Sequence, residues 1–81
     1  MIWIVYIIQS TTTQRYYIGC TSDLDRRLKE HNTNKGKSTR YRGPYAVVYI
    51  EEHSSRQLAL ARERQIKSYK GGNAFKSLLS R

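Results

Sequence analysis

Five polar residues, spread along most of the chain, have side chains that could do chemistry together: Tyr6, Tyr17, Arg27, His31 and Glu63. A carboxylate is a hard oxygen ligand of the kind that Mg²⁺ prefers, and Mg²⁺ often fills its other positions with water and phosphate oxygens. A tyrosine near such a metal and an arginine can transfer a proton or hold a phosphate. The set therefore indicates phosphate chemistry, if the fold brings its members into one pocket.

The predicted first helix places Arg27 and His31 beside its buried face. Leu24 and Leu28 define that face, at about 100° of rotation per residue. Arg27 and His31 lie one turn apart on the same side, where they can line a cleft. The alternatives are an arginine whose stem covers the edge of the core and a histidine that satisfies a carbonyl at the helix end.

The predicted second helix carries one acid near its apolar face. That face is predicted from Leu58, Ala59, Ile66 and Tyr69, and Glu63 lies at its margin. Glu63 is either a metal ligand or a carboxylate that only neutralises its basic neighbours.

Tyr6 lies in an apolar segment of the kind found in strands that are covered on both faces. In an extended strand it shares a face with Ile4 and Ile8, and Tyr17 lies on the strand that pairs with it through a short hairpin. Each tyrosine can equally be a packing residue.

The elements that must position these residues follow in the order strand, strand, helix, strand, helix, helix. Ser22 is predicted to cap the first helix with Asp25 in a capping box, and Ser54 or Ser55 to cap the second. We expect an α/β (α+β) fold in one domain, residues 1–81, with a small three-stranded antiparallel sheet flanked by helices. The predicted elements are Ile2–Ile8, Arg15–Gly19, Ser22–Asn32, Tyr45–Glu52, Ser55–Tyr69 and Asn73–Ser80.

The chain is strongly basic, with 15 lysines and arginines against six acids and a net charge of +9. Such a charge raises the local concentration of polyanions, although a solvated cationic surface or an unspecific RNA-binding protein would share it. The segment between the first helix and the third strand is predicted to be a phosphate-contacting loop, or else a solvated one. The residues predicted to bind nucleic acid are Lys35, Lys37, Arg40, Arg42, Lys67 and Lys70.

The chain is expected to act in the cytoplasm, away from membranes. Cys20 is its only cysteine, and a lone thiol suits a reducing compartment. The apolar segment Met1–Ile8 lacks a basic flank and is far shorter than the roughly 20 residues of a membrane span.

Taken in order, Ile4–Tyr6, Tyr17–Gly19, Arg27, His31 and Glu63 resemble the GIY-YIG nuclease superfamily, with the closest likeness to its small single-domain bacterial branch. The likeness extends over nearly the whole chain. It implies a metal-dependent endonuclease that hydrolyses phosphodiesters, with DNA more favoured than RNA and a structure-selective role in DNA repair or recombination.

The resemblance also implies a role for each site residue. Tyr6 would deprotonate or orient the attacking water, and Tyr17 would position the phosphate. Arg27 would stabilise charge on the phosphoryl oxygens, and His31 would assist proton transfer. Glu63 would hold one Mg²⁺ or Mn²⁺ ion.

The chain departs from the family pattern at two places. Ile4 replaces the first motif's glycine, and Cys20 stands where some relatives carry a lysine, so Lys67 or Lys70 must supply any lysine function. Asn73 is a candidate for the late asparagine of some relatives, and Gly19 is expected to let the chain turn tightly out of its strand. The rival interpretations are a non-catalytic nucleic-acid-binding module of the same fold and a protein-interaction subunit, and a partner protein for targeting fits either a nuclease or a module.

Overall fold

The computed structural model describes residues 1–33 and 43–80. Within them, three antiparallel strands form one sheet in the order β2-β1-β3, so that β1 is central. The fold is α+β, as the sequence predicted. The elements are β1 (Trp3–Ser10), β2 (Tyr16–Thr21), α1 (Leu24–Asn32), β3 (Tyr45–His53), α2 (Arg56–Ser68) and α3 (Asn73–Leu79).

The central strand β1 is covered on both faces, as its run of apolar residues predicted. Val5 and Ile7 pack on one face with Ala59 and Ile66 of α2 and with Phe75 of α3. Because Ile7 is fully buried, shortening it to alanine is expected to cost about 2–5 kcal/mol of stability.

The opposite face of β1 packs against α1. Tyr6 and Ile8 lie there with Tyr45 of β3, and Leu24 and Leu28 pack against them from α1. The prediction that Tyr6 shares a face with its neighbours two residues away is therefore confirmed. Tyr6 therefore lies on the face of the sheet that α1 covers, and α2 packs on the opposite face.

The hairpin between β1 and β2 is closed by Ser10, which is fully buried. Its hydroxyl oxygen accepts hydrogen bonds from the amides of Thr12 and Thr13, at 3.2 and 3.0 Å. These bonds hold the exposed turn against the end of β1, in the hairpin whose register places Tyr6 opposite Gly19.

Two capping predictions had different outcomes. The N-cap of α2 is Ser55, one of the two candidates, and its side chain accepts from the Leu58 amide. The N-cap of α1 is Asp23, whose carboxylate accepts from the Arg26 amide, so the assignment of Ser22 as the cap was wrong. Aspartate caps a helix as well as serine does, and here β2 continues to Thr21 and shifts the helix start to Leu24.

Two further predictions about packing were wrong. Leu58 is 54 % exposed, because the buried stripe of α2 follows Ala59 and Ile66 and turns the preceding residue away. Gly19 lies inside β2 and does not turn the chain out of it. A Cβ atom on Gly19 would lie 2.5 Å from the Tyr6 hydroxyl, so the residue provides space for that phenol.

Candidate active site

A cleft of about 940 Å³ opens along the outer side of β2. Residues from both faces of the sheet line it, because β2 is an edge strand. All five residues singled out in the sequence as chemical candidates line it, and so does Lys67: Tyr6, Tyr17, Arg27, His31, Glu63 and Lys67.

The Tyr6 phenol contacts two other polar side chains on the α1 side of the cleft. Its oxygen lies 3.1 Å from His31 Nε2, and Arg27 Nε donates to it at 3.4 Å. Arg27 can only donate, so the phenol accepts from the guanidinium, and with His31 in its Nδ1–H tautomer the phenol donates its own proton to Nε2. Tyr6 and His31 are both buried, which fixes this geometry.

The surroundings of Tyr6 and His31 set their protonation states. Burial raises the pKa of Tyr6, and the hydrogen bond from Arg27 opposes that rise. Burial, followed by the charge of Arg27, lowers the pKa of His31. The phenol is therefore protonated and the imidazole neutral near pH 7, a state in which the imidazole can accept a proton through the phenol.

Arg27 reaches the cleft from α1 with a second partner. Its Nη1 lies 3.6 Å from a carboxylate oxygen of Glu30, one turn along the helix, and its side chain is 40 % exposed. The hydrogen bond with Tyr6 is the main reason for the raised pKa of Arg27. The guanidinium is thus oriented by the protein and still open to an anion.

Tyr17 lines the cleft beside Tyr6 on the α1 face. Its ring meets the ring of Tyr45 edge to face at 5.5 Å, and Tyr45 in turn lies beside His31. Asn32 holds the Tyr45 backbone, accepting from its amide at 2.7 Å. A row of aromatic rings therefore supports the Tyr17 phenol.

Glu63 lies on the α2 side of the cleft. Its carboxylate pairs with Lys67 Nζ at 2.7 Å, and its side chain is only 17 % exposed. The charge of Glu63 contributes to the raised pKa of Tyr6 across the edge of β2. After burial, a hydrogen bond with Glu63 is the next cause of the raised pKa of Cys20.

The chemistry of the donor set fits a single hard cation held mainly by solvent and substrate. Among the described residues, no group of three or more histidine, cysteine, aspartate or glutamate side chains is arranged to hold a metal. One carboxylate is still enough for an ion such as Mg²⁺ when phosphate oxygens complete its coordination. Lys67 would then have to leave Glu63 for the substrate.

Helix α2 brings two further residues to the cleft that the sequence reasoning missed, Arg56 and Leu60. Together with the predicted Glu63 and Lys67 they line it at spacings of four, three and four residues. That spacing marks one face of a helix and was the signal available in the sequence. Arg56 also lies 5.8 Å from the ring of Trp3, a cation–π contact at the end of the cleft.

The other predicted residues lie elsewhere. Lys70 lies outside the cleft, in a neighbouring groove, and Asn73 begins α3 without lining either one. Lys35, Lys37, Arg40 and Arg42 fall in residues 34–42, outside the described part of the chain.

Two known proteins are similar to this chain in sequence. The chain is 44 % identical over 66 residues to a UPF0213 protein of Haloquadratum walsbyi, covering 80 % of this chain and 73 % of that one. It is 41 % identical over 64 residues to a UPF0213 protein of Oceanobacillus iheyensis, covering 78 % and 73 %.

A solved structure agrees with these sequence relatives. It is the solution NMR structure of a UPF0213 protein from Bacillus halodurans, with 34 % identity and a TM-score of 0.62 over 99 % of this chain and 84 % of that one. These relatives are small GIY-YIG-type proteins of bacteria and archaea, a wider range than the bacterial branch first inferred. The family model for the GIY-YIG catalytic domain matches residues 2–75, and the chain belongs to the GIY-YIG family.

Proposed function

We propose that this protein is a divalent-metal-dependent endonuclease that hydrolyses phosphodiester bonds in DNA. The observation that carries the proposal is the meeting, in one cleft, of a hydrogen-bonded Tyr6–His31–Arg27 group and the Glu63 carboxylate. A nuclease-type fold and a net charge of +9 support nucleic acid as the substrate.

In the proposed reaction, a water molecule attacks phosphorus in line with the leaving oxygen, and each residue has a separate role. The water gives its proton to the Tyr6 oxygen as the Tyr6 proton moves to His31 Nε2. Arg27 donates hydrogen bonds to the phosphoryl oxygens, whose negative charge grows as the bond to the water forms, and Tyr17 positions the phosphate. The leaving oxygen takes a proton from solvent.

Glu63 is the residue that would hold Mg²⁺ or Mn²⁺. When bound, the ion would supply positive charge to the phosphate and its leaving oxygen. Lys67, released from Glu63, would then contact a phosphate of the substrate, which is the lysine function that Cys20 does not supply.

The finer features of the proposal concern substrate and setting. The described residues include no separate module for reading base sequence, so selection would follow DNA shape, junctions, nicks or strand ends, as DNA repair or recombination requires. A partner protein would add targeting. We place the activity in the cytoplasm, where a lone thiol such as Cys20 stays reduced.

The test is cleavage of branched, nicked and single-stranded DNA, and of matched RNA, with Mg²⁺ or Mn²⁺. Glu63→Gln is expected to remove the metal-dependent rate, and Tyr6→Phe to lower it by about 10²- to 10⁴-fold through loss of the proton path. Glu52→Gln, which changes an exposed carboxylate outside the cleft, is the matched control.

A non-catalytic binding module would give a different result. It would bind DNA with strong salt dependence and cut none of these substrates with either metal. Full activity in Glu63→Gln would remove the metal assignment, and cutting at one defined sequence alone would contradict shape selection.

A further inference from the structure

A second groove, of about 390 Å³, lies beside the cleft at the start of β2, the end of α2 and the start of α3. Tyr16, Tyr17, Ile18 and Lys67 line both spaces, so the groove continues the cleft on its Glu63 side. A nucleic-acid strand with one phosphate at Glu63 could therefore continue from the cleft into this groove.

Tyr16 forms an aromatic wall of the groove. It pairs with Gln9 in the sheet and therefore faces α2, opposite to Tyr17. Its ring meets the Phe75 ring edge to face at 5.2 Å, while the residue stays 42 % exposed. The ring is thus held by a buried neighbour and still presents a surface to a ligand.

The groove is cationic. Arg15, Lys67 and Lys70 line it, and no carboxylate is among its described lining residues. Lys70 and Gly71 form the turn after α2 with φ of 50° and 77°, a left-handed conformation that costs a non-glycine residue about 1 kcal/mol or more. Lys70 thus lines the groove with Tyr16 although its backbone conformation is unfavourable for a residue other than glycine.

We propose that this groove is a nucleotide subsite, in which one unpaired base stacks on Tyr16 and the phosphates on either side of that base contact Arg15 and Lys70. An aromatic platform between cations is the arrangement that binds single-stranded nucleic acid, and a base inside a duplex cannot offer its face to it. The inference rests on the proposed function, since the subsite is useful beside a cut phosphate. It makes the preferred substrate one with an unpaired nucleotide next to the cut.

The test measures binding without cleavage. The Kd of a fluorescein-labelled ten-nucleotide DNA strand is measured by anisotropy in EDTA for the wild type, Tyr16→Ala and Tyr16→Phe. Tyr16→Ala is expected to weaken binding about 5- to 100-fold and Tyr16→Phe to leave it within about twofold, because stacking needs the ring and not the hydroxyl. Tyr16→Leu, which keeps apolar packing on Phe75 without a π face, is expected to follow alanine, and it decides the question if Tyr16→Ala fails to fold.

Strands with a single abasic position identify the stacked base. At one position, loss of the base is expected to weaken wild-type binding by the same factor as Tyr16→Ala and to leave the Tyr16→Ala complex unchanged, as expected when two groups make one contact. Arg15→Gln and Lys70→Gln are each expected to reduce the slope of log K against log salt by about 0.7, while Lys29→Gln, outside both grooves, leaves it unchanged.

The outcomes separate this inference from the nuclease proposal. Tyr16-dependent binding without cleavage by any metal supports the subsite and overturns the nuclease. Cleavage with equal binding by the wild type and a folded Tyr16→Ala overturns the subsite alone. A wild type that neither binds nor cleaves overturns both.

Discussion

His31 is the residue on which the proposed proton path ends. Its neutral imidazole lies within hydrogen-bonding distance of Tyr6, and burial together with the charge of Arg27 lowers its pKa from the usual value of about 6.5. Once His31 is protonated, its Nε2 can no longer accept the proton of Tyr6. The same shift makes the folded state lose stability as the pH falls below about 6.5, because the unfolded chain then binds the proton more readily.

We predict that kcat/KM falls on the acid side with a midpoint below pH 6.5, and that His31→Ala lowers the rate by about 10²- to 10⁴-fold and removes this acid limb. A pH–rate profile of each variant is the measurement. His53→Ala, which changes a histidine paired with Glu51 on β3, is expected to keep the limb. An unchanged limb in His31→Ala would assign it to another group.

Gly19 determines where the Tyr6 phenol can lie. The space that a side chain would take at this position is filled by the tyrosine ring, whose hydroxyl and Cζ atoms lie 2.5 and 2.7 Å from an ideal Cβ. Because Tyr6 is buried, it cannot move aside without disturbing α1.

Gly19→Ala is therefore expected to destabilise the protein by about 1–3 kcal/mol and to lower activity more than stability alone explains, since the phenol is displaced from His31. Urea unfolding and cleavage assays measure the two effects. In a Tyr6→Phe background the same substitution should cost less stability, because its nearest contact is gone. An equal cost in both backgrounds would mean that the contact is relieved elsewhere.

At the scale of elements, different side chains of α2 contact the core, the cleft and β3. Ala59 and Ile66 fill the core, Glu63 faces the cleft, and Arg62 reaches over to β3. Arg62 makes a bidentate pair with the Glu51 carboxylate, at 2.9 to 3.1 Å. This pair holds the side of α2 next to Glu63 against the sheet.

The Glu51 carboxylate is unusually acidic. Burial alone raises its pKa, but hydrogen bonds from Arg62, Tyr49 and His53 outweigh burial and lower the pKa to about 2. Since the folded pKa lies below the ordinary value of 4.5, the carboxylate stabilises the fold above pH 4.5 and loses that effect as the pH falls toward 2.

Glu51→Gln is expected to lower the free energy of unfolding by about 1–3 kcal/mol at pH 7. The difference from the wild type should shrink steadily below pH 4.5, because the unfolded wild-type chain then takes up a proton that the folded carboxylate does not bind until about pH 2. Denaturant titrations across this pH range measure it, with Glu52→Gln as the exposed control on the same strand. A deficit that stays constant to pH 3 would contradict the ionic origin.

At the scale of the whole molecule, the net charge of +9 is the property most relevant to a polyanionic substrate. Attraction of this kind is weakened by salt, because binding releases the counterions condensed on the phosphates. Among the described residues, no helix is long and apolar enough to cross a membrane.

Binding of duplex DNA is expected to weaken linearly on a log–log plot against salt concentration. Replacing Lys35 and Arg42 with glutamine should reduce the slope by about 1.8, whereas replacing Lys29 and Lys76, which line neither groove, should leave it unchanged. Equal slopes for the two pairs would remove residues 34–42 from the predicted DNA contacts.

Local pattern by itself determined the order of elements, the antiparallel sheet and the two-sided burial of β1. The apolar run around Tyr6 indicated a strand covered on both faces, and the short polar connection Ser10–Gln14 indicated antiparallel pairing, because periodicity and turn chemistry act over a few residues. The motif spacing also determined the family. The start of α1 was misplaced by one residue, since Ser22 and Asp23 are both good caps and only the length of β2 chooses between them.

Only the tertiary structure decided what lies across the edge of β2. Tyr6 and Glu63 lie on opposite faces of the sheet, and they share a cleft because β2 is an edge strand that both faces border. The sequence also could not predict the groove at Tyr16 or the exposure of Leu58. They depend on how α2 is rotated against the sheet, a long-range packing choice that no local pattern in the chain specifies.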